Sequence, residues 1–246
     1  MAQNNTKVAL VTGASRGIGK AIAERLSRDG FKLIINYSGD AAPADALVRK
    51  LEGAGGRAIA VKADISDPSA VRRMFDAAVA AFGGIDVLVN NAGIMALAPI
   101  AETDDASFDR HIAVNLKGTF NTLREAATRL RDGGRVVNFS STVVRRLVPS
   151  YGVYIATKAA VEGLTSVFAK ELRGRNITVN AVAPGPTATD LFLKGKPQEV
   201  VDGLAKMAPL ERLGQPSDIA NVVSFLAGPD AAWINGQVLH VNGGLI

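Results

Sequence analysis

Residues 12–19, TGASRGIG, decide the fold of this chain. The stretch follows a short apolar run that is typical of a strand, and it opens a segment of helical length. Its glycines, Gly13, Gly17 and Gly19, permit a tight turn and let backbone amides approach a pyrophosphate at the positive end of a helix. The spacing is Gly-x-x-x-Gly-x-Gly, which differs from the commoner Gly-x-Gly-x-x-Gly. Strand, turn and helix in this order indicate a dinucleotide-binding unit.

Short β-rich runs alternate with helix-length segments along the rest of the chain. Most of these runs are apolar nearly throughout, as in a parallel sheet covered on both faces. The sequence therefore predicts an α/β fold: a doubly wound (Rossmann) seven-stranded parallel sheet with helices on both faces. The strand candidates are residues 7–11, 32–37, 57–61, 86–89, 135–140, 178–182 and 237–241. The helix candidates lie near residues 18–29, 43–53, 69–82, 107–131, 151–173 and 217–227.

The length and composition of the chain favour a single domain that spans residues 1–246. The chain is 48% hydrophobic and 21% charged, which suffices for a substantial core, and no linker or repeat divides it. Its 28 Lys and Arg exceed its 23 Asp and Glu, giving a net charge of +5. These basic residues are scattered and lack interleaved aromatics, which argues against nucleic acid as a partner. A mild positive field is compatible with a polyanionic cofactor.

Several other classes of protein are disfavoured. The chain has no cysteine, which excludes disulfides and thiolate metal sites. Its two histidines are isolated and suggest no metal: we interpret His111 as a helix-surface residue and His240 as part of the last strand. Residues 1–6 lack the apolar core of a signal peptide, and no apolar run reaches the ~18 residues of a membrane helix. We expect a soluble, cytoplasmic protein with no membrane partner.

The segment from about residue 184 to residue 209 interrupts the alternation. It is rich in proline and glycine and contains the apolar triplet Leu-Phe-Leu at 191–193. A loop this long in a compact domain is usually functional. We therefore predict a substrate lid near residues 185–209; the alternative is a surface excursion with a short helix.

The end of the second strand bears on the choice of dinucleotide. Sites for NAD usually place Asp or Glu there to bind the ribose 2′-hydroxyl. Here the strand ends with Asn36, Tyr37 and Ser38, and no acid precedes Asp40. Asn36 and Ser38 can donate hydrogen bonds to a 2′-phosphate, and Arg16 can supply positive charge. The pattern predicts NADP(H) over NAD(H), although Arg16 could also be an ordinary surface arginine.

Tyr154 and Lys158 lie four residues apart, which places them on one face of a helix. The ammonium should favour the ionised phenol and lower the Tyr154 pKa from its usual value of about 10. Such a phenol can exchange a proton during carbonyl reduction or alcohol oxidation. Most Tyr-x-x-x-Lys pairs are solvated helix faces, so this interpretation depends on the accompanying residues.

Together these motifs resemble the short-chain dehydrogenase/reductase family in its compact single-domain form. The likeness extends from Thr12 to Gly244. The matching positions are the glycine turn, Asn90-Asn91-Ala92-Gly93, Asn115, Ser141, Tyr154-x-x-x-Lys158 and Pro184-Gly185. Ser141 precedes Tyr154 by the family's usual thirteen residues; Ser140 and Tyr151 are the neighbouring residues that could be mistaken for them.

The resemblance implies a role for each of the four catalytic positions. Tyr154 donates the proton to the carbonyl oxygen, and Ser141 hydrogen-bonds that oxygen. Lys158 lowers the Tyr154 pKa and holds the nicotinamide ribose, and Asn115 binds a water that leads to bulk solvent. The implied NADP(H)-binding residues are Gly13, Ser15, Arg16, Gly17, Ile18, Gly19, Asn36, Tyr37, Ser38, Asp64, Ile65, Asn91, Ala92, Gly93, Tyr154, Lys158, Pro184, Gly185, Thr187 and Thr189.

The substrate is less clearly defined. The expected pocket residues, 94–95, 142–151 and 191–193, are mainly apolar and suggest an aliphatic or aromatic carbonyl compound. Arg145 and Arg146 could attract an anionic substrate or be solvated loop arginines. The chain is most similar to 3-oxoacyl-carrier-protein reductases, which makes 3-oxoacyl thioesters the best guess and a carrier protein a candidate partner. Reduction of another ketone, quinone or sugar is the alternative.

Two further expectations concern the whole protein. Some dinucleotide folds bind a cofactor only to sense its redox state, so a non-catalytic NADP(H) sensor is the alternative of another class. The retained Asn115, Ser141, Tyr154 and Lys158 favour an enzyme. The resemblance also implies a homotetramer.

Overall fold

Seven parallel strands form one sheet at the centre of the computed structural model, which describes residues 6–246. The strands are β1 (Val8–Val11), β2 (Lys32–Tyr37), β3 (Ala58–Lys62), β4 (Ile85–Asn90), β5 (Leu130–Phe139), β6 (Thr178–Pro184) and β7 (Val238–Val241). Their order across the sheet is β3-β2-β1-β4-β5-β6-β7. The direction of winding changes between β1 and β4, which opens a crevice at the carboxyl ends of these strands. The predicted doubly wound sheet is confirmed, and the expectation about the first five residues lies outside the described range.

Helices cover both faces of the sheet. The long ones are α1 (Gly17–Arg28), α2 (Ala42–Gly53), α3 (Pro68–Phe82), α5 (Thr119–Arg129), α7 (Gly152–Glu171) and α10 (Pro216–Ala227). The short ones are α4 (Asp105–His111), α6 (Val143–Arg146), α8 (Asp190–Leu193) and α9 (Gln198–Lys206), besides a 3₁₀ turn at Ile100–Glu102. One core layer joins the sheet to α1, α2 and α10. The other joins it to α3, α5 and α7. The sheet is therefore buried on both sides, which explains its nearly continuous apolar strands.

Local signals set the helix starts. The Asp67 side chain accepts a hydrogen bond from the Ser69 amide at 2.8 Å, and Pro68 occupies the first turn of α3. At α10, the Asp218 carboxylate accepts from the Gln215 amide at 2.7 Å, which forms one half of a capping box. Both helices therefore begin where a capping residue precedes a proline.

The structure departs from the predicted elements in several places. The strand β5 begins at Leu130 instead of residue 135, and α6 forms where no helix was predicted. The helix predicted at 107–131 is divided into α4, a π-helical segment (Ile112–Gly118) and α5. The segment predicted as a lid contains α8 and α9. His240 lies in β7, as predicted. No helix within residues 6–246 is long and apolar enough to span a membrane.

Candidate active site

A cleft of about 590 Å³ opens at the carboxyl ends of the strands. It brings together Ser141 and every residue expected to bind the cofactor: Gly13, Ser15, Arg16, Gly17, Ile18, Gly19, Asn36, Tyr37, Ser38, Asp64, Ile65, Asn91, Ala92, Gly93, Tyr154, Lys158, Pro184, Gly185, Thr187 and Thr189. Among the predicted site residues only Asn115 does not line it; this side chain is buried beneath the cleft wall. The sheet therefore assembles residues from seven separate stretches of sequence into one site.

The glycine turn between β1 and α1 is held closely against the end of β4. Gly13 and Gly17 have φ of 61° and 56°, in the left-handed region that favours glycine. A Cβ on Gly19 would lie 2.4 Å from the Gly13 carbonyl oxygen, so only glycine fits. The Asn91 side chain donates to the carbonyl oxygens of Thr12 and Gly13 at 2.9 and 3.1 Å. The turn therefore has one fixed conformation at the mouth of the crevice.

Asn36 plays a different role from the one predicted. Its side chain is 2% exposed, and its Oδ1 accepts from the Gly13 amide at 3.2 Å. Its amide nitrogen donates to the carbonyl oxygens of Val61 and Ala63 at 3.3 and 3.0 Å. The expected donor to a 2′-phosphate is therefore already engaged in holding the glycine turn against β2 and β3. Arg16 and Ser38 remain exposed at this end of the cleft.

The opposite end of the cleft has room for a ligand beside Lys158. A Cβ on Gly93 would lie 3.2 Å from the Asn115 Oδ1 and 3.5 Å from the Lys158 Nζ. Because Gly93 has no side chain, this space is open to a ligand bound in the cleft. A positively charged end, a glycine turn at a helix start and this gap beside an ammonium together fit an extended dinucleotide.

Tyr154 and Lys158 lie on α7 and face Ser141, which follows β5. The Lys158 Nζ donates to the Phe139 carbonyl oxygen at 2.9 Å and lies 5.7 Å from the centroid of the Tyr154 ring. The neighbouring Ser140 is buried, and its hydroxyl donates to the Glu162 carboxylate at 2.6 Å. Ser140 is thus committed to a structural contact, while Ser141 is the partly exposed hydroxyl beside Tyr154.

The pKa values of the pair correct the prediction. Burial raises the pKa of the Tyr154 phenol to about 12, and the Ser141 hydroxyl offsets this rise only in part. Burial also lowers the pKa of Lys158 to about 8. Burial disfavours the charged form of each group, and it is the largest cause of both shifts. The expected lowering of the Tyr154 pKa by Lys158 is wrong for this structure.

Asn115 lies in the π-helical segment between α4 and α5. Its Oδ1 accepts from the Ile94 amide at 2.8 Å, and its Nδ2 donates to the Ile94 carbonyl oxygen at 3.0 Å and to the Thr157 hydroxyl at 3.3 Å. Single π turns are frequent at functional sites. The side chain fixes the loop after β4 to α7, while its role in binding a water stays a prediction.

His111 is the residue that sequence reasoning misplaced. Its side chain is 1% exposed. The Nε2 atom lies 3.1 Å from the Ala96 amide, which can only donate, and Nδ1 lies 2.7 Å from the Ser107 carbonyl oxygen, which can only accept. These partners define a neutral imidazole with its proton on Nδ1. The one signal in the sequence was the spacing of four residues to Asn115, which places both on the face that holds residues 94–96.

The substrate end of the cleft is mainly apolar, as predicted. Its walls include the expected Ile94, Met95, Val148, Leu191 and Phe192. They also include Leu204 of α9, which lies inside the segment predicted as a lid, and Leu245, which sequence reasoning missed because it lies far along the chain from the other pocket residues. Leu193 and Arg145, in contrast, do not line the cleft, whereas Arg146 does.

Known proteins resemble the chain over nearly its whole length. A family model described as "Enoyl-(Acyl carrier protein) reductase" matches residues 13–246. A "Short-chain type dehydrogenase/reductase" of Picea abies is 46% identical over 98% of this chain and 92% of its own. An "NADPH-dependent aldehyde reductase-like protein, chloroplastic" of Arabidopsis thaliana is 44% identical over 98% and 94%. A short-chain dehydrogenase of Burkholderia cenocepacia, solved in complex with NADP, superposes with a TM-score of 0.92 at 40% identity, covering 97% of each chain.

The chain belongs to the short-chain dehydrogenase/reductase family. The motifs quoted from its sequence are therefore those of an oxidoreductase, and the cleft is the candidate active site of that enzyme.

We predict that His111 positions the loop at residues 94–96, at the substrate end of the cleft, through its contact with Ala96. His111→Leu leaves the Ala96 amide without its acceptor, so the KM for the carbonyl substrate should rise by up to about tenfold, as expected for loss of a part-buried hydrogen bond. His111→Gln places an acceptor at the same distance along the side chain and should restore KM to within about threefold. Steady-state kinetics and the NADPH dissociation constant measure both effects.

The NADPH dissociation constant should stay within about twofold in both variants, because residues 94–96 lie at the substrate end of the cleft. An equal rise in KM in His111→Leu and His111→Gln would contradict this role, because it would show that the ring acts through its size and not as a hydrogen-bond acceptor.

Proposed function

We propose that this protein binds NADPH in the cleft and reduces a carbonyl compound to a secondary alcohol. The observation that carries the proposal is the placement of Tyr154, Ser141 and Lys158 at one end of a cleft whose other end is the glycine turn. The NADP complex of the Burkholderia cenocepacia relative and the NADPH-dependent name of the Arabidopsis thaliana relative support this choice of cofactor. Asn115, Ser141, Tyr154 and Lys158 are the proposed catalytic residues.

Each residue has a separate task in the proposed reaction. When bound, NADPH supplies the hydride that forms the new C–H bond. The Tyr154 hydroxyl donates its proton to the carbonyl oxygen, and the Ser141 hydroxyl donates a hydrogen bond to the same oxygen as negative charge develops there. The Lys158 ammonium stabilises the phenolate that Tyr154 becomes. Hydride and proton together convert C=O into CH–OH.

The pKa values suit the direction of reduction. A phenol with a pKa of about 12 is protonated at neutral pH and therefore carries the proton that reduction requires. An ammonium with a pKa of about 8 is mostly charged at pH 7. Before the reaction the proton therefore lies on Tyr154. The charge of Lys158 stabilises the site most after that proton has been transferred, when Tyr154 is a phenolate.

Arg16 is the best candidate for recognition of the 2′-phosphate. It is exposed at the cleft edge, and it forms no ion pair within residues 6–246. The end of β2 carries no carboxylate that would repel a phosphate. NADP(H) is therefore the proposed cofactor, with Arg16 and Ser38 as its donors.

The finer parts of the proposal concern substrate and assembly. We propose a 3-oxoacyl thioester as the specific substrate, because the substrate end of the cleft is mainly apolar. Residues 185–209, with α8 and α9, serve as the lid of a single domain that spans residues 1–246. A homotetramer and a carrier-protein partner remain predictions of the family resemblance, and a cytoplasmic location remains a prediction from the sequence pattern.

A panel of carbonyl compounds tests the proposed reaction. We expect NADPH consumption with acetoacetyl thioesters, diketones or aromatic ketones, and none with a crotonyl thioester, which has no ketone and offers a conjugated C=C bond instead. Tyr154→Phe removes the acid and should lower turnover ~10²–10⁴-fold, while NADPH binding stays nearly intact. Consumption of the crotonyl thioester, or full activity of Tyr154→Phe, would overturn the assignment. NADPH binding with no turnover of any compound would favour the sensor.

The pH dependence of reduction tests the role of Lys158. The pKa of about 8 predicts that kcat/KM falls as pH rises above about 8, because the neutral amine no longer stabilises the phenolate. Arginine stays protonated throughout this range, so Lys158→Arg should lack the fall even if it is slower. Initial rates of both proteins, measured from about pH 6 to about pH 10, show whether the fall in kcat/KM depends on Lys158. The same fall in both proteins would assign the titration to another group.

The preference for NADPH tests the role of Arg16. Arg16→Gln should weaken NADPH binding about tenfold, since a charged hydrogen bond to an exposed phosphate is lost, and should leave NADH binding unchanged. Lys20→Gln, on the exposed face of the same helix start, is the matched control. Fluorescence titration of both cofactors gives the dissociation constants. Parallel weakening of NADPH and NADH in Arg16→Gln would contradict the assignment.

A further inference from the structure

Two adjacent arginines at the end of α6 have different surroundings. Arg145 turns away from the cleft: its Nη2 lies 4.0 Å from the Glu162 carboxylate, which also accepts from Ser140. Arg146 turns into the cleft wall. The one side-chain hydrogen bond that it forms within residues 6–246 runs from Nη2 to the Met207 sulfur at 3.4 Å, and thioether sulfur is a weak acceptor.

The backbone holds Arg146 in this position. Its amide donates to the Thr142 carbonyl oxygen at 3.2 Å, and the buried Thr142 hydroxyl donates to the Ala183 carbonyl oxygen of β6 at 3.1 Å. Leu147 ends the helix in the left-handed region, with φ of 53°. The turn is thus fixed to the sheet on one side and reversed on the other, so Arg146 cannot be regarded as part of a free loop.

Arg146 lies close to the catalytic tyrosine. The Tyr151 ring is 6.4 Å from the Tyr154 ring, centroid to centroid. Arg146 is near enough to Tyr151 to oppose the rise that burial causes in the pKa of that phenol. Tyr154, Tyr151 and Arg146 all line the same cleft, so a substrate whose carbonyl reaches Tyr154 has room to extend past Tyr151 toward the guanidinium.

The guanidinium has no anionic partner among residues 6–246. The acidic side chains that line the same cleft are Asp40, Asp64 and Asp190, and none forms an ion pair with Arg146. Its neighbours in the cleft wall include Val143, Val148 and Leu204. Apolar surroundings strengthen the attraction of a fixed charge for an opposite one.

We propose that Arg146 binds an anionic group carried by the carbonyl substrate, at the far side of Tyr151 from the reacting carbonyl. This inference rests on the proposed function. The anion is either a carboxylate on a compact ketone or a phosphate on the pantetheine arm of a thioester. Arg146 is then a specificity-determining residue, since it favours acids over neutral analogues with the same carbonyl.

Paired substrates test the inference and separate the two sources. The first pair is 4-acetylbenzoate and its methyl ester; the second is acetoacetyl-CoA and the uncharged acetoacetyl-N-acetylcysteamine. In Arg146→Gln the ratio of kcat/KM for the charged member to that for the neutral member should fall about tenfold or more in one of the pairs. A change in the first pair identifies a carboxylate, and a change in the second identifies a phosphate. Unchanged ratios in both pairs would overturn the inference.

Two control variants isolate the charge. Arg145→Gln removes the neighbouring arginine, which points away from the cleft, and should keep both ratios within about twofold. Met207→Leu removes the sulfur contact and keeps the guanidinium, so it too should keep the ratios. If Met207→Leu lowers them as far as Arg146→Gln does, Arg146 acts by holding the segment after α9 and the inference fails.

A binding measurement keeps this inference separate from the proposed reaction. Benzoate and benzamide are titrated calorimetrically into the protein saturated with NADP⁺. Benzoate should bind more tightly, and Arg146→Gln should abolish that advantage. If no carbonyl compound turns over but this difference holds, the anion site stands and the proposed function fails. If turnover occurs while benzoate and benzamide bind alike and every kinetic ratio is unchanged, the function stands and the anion site fails.

Discussion

The whole site depends on how the glycine turn after β1 is held between its two neighbouring strands. Asn36, at the end of β2, accepts from the Gly13 amide, while Asn91, after β4, donates to the carbonyl oxygens of Thr12 and Gly13. The space between Gly13 and Gly19 admits no side chain. Because the Asn36 amide nitrogen also donates to the carbonyl oxygens of Val61 and Ala63, the turn is tied to β2, β3 and β4 as one rigid unit. A dinucleotide therefore meets a preformed surface.

A second set of buried polar contacts supports the catalytic end. The Asn90 side chain donates to Asn138 at 2.9 Å and accepts from Thr122 at 2.7 Å, and Asn138 donates to Thr165 at 2.9 Å. These bonds tie β4 and β5 to α5 and α7, the helix that carries Tyr154 and Lys158. Such networks are costly to break because each lost partner leaves a buried group unsatisfied. Rigidity under the cleft keeps the phenol and the ammonium at a fixed separation.

The sequence allowed the sheet, the long helices and the set of residues around the cleft to be predicted, because apolar periodicity and ordered motifs are local signals. It did not allow prediction of what each side chain contacts. Asn36 faces inward because Val61 and Ala63 offer carbonyl groups from a distant strand, and His111 is buried because Ala96 returns to it after a loop. The pKa of Tyr154 rises because of burial, which depends on the complete fold. Likewise, only the structure separates Arg146, in the cleft, from Arg145, beside Glu162.

Transfer of deuterium is the most direct test of the central claim that this cleft moves a hydride from the nicotinamide to a carbonyl carbon. The protein would be supplied with NADPH deuterated at C4, one stereoisomer at a time, together with a ketone that it reduces. Proton NMR of the alcohol then locates the label. We predict that deuterium appears on the carbinol carbon with one stereoisomer only, because a fixed cleft presents a single face of the ring. Label on the alcohol from both stereoisomers, or lost to solvent from both, would contradict the account.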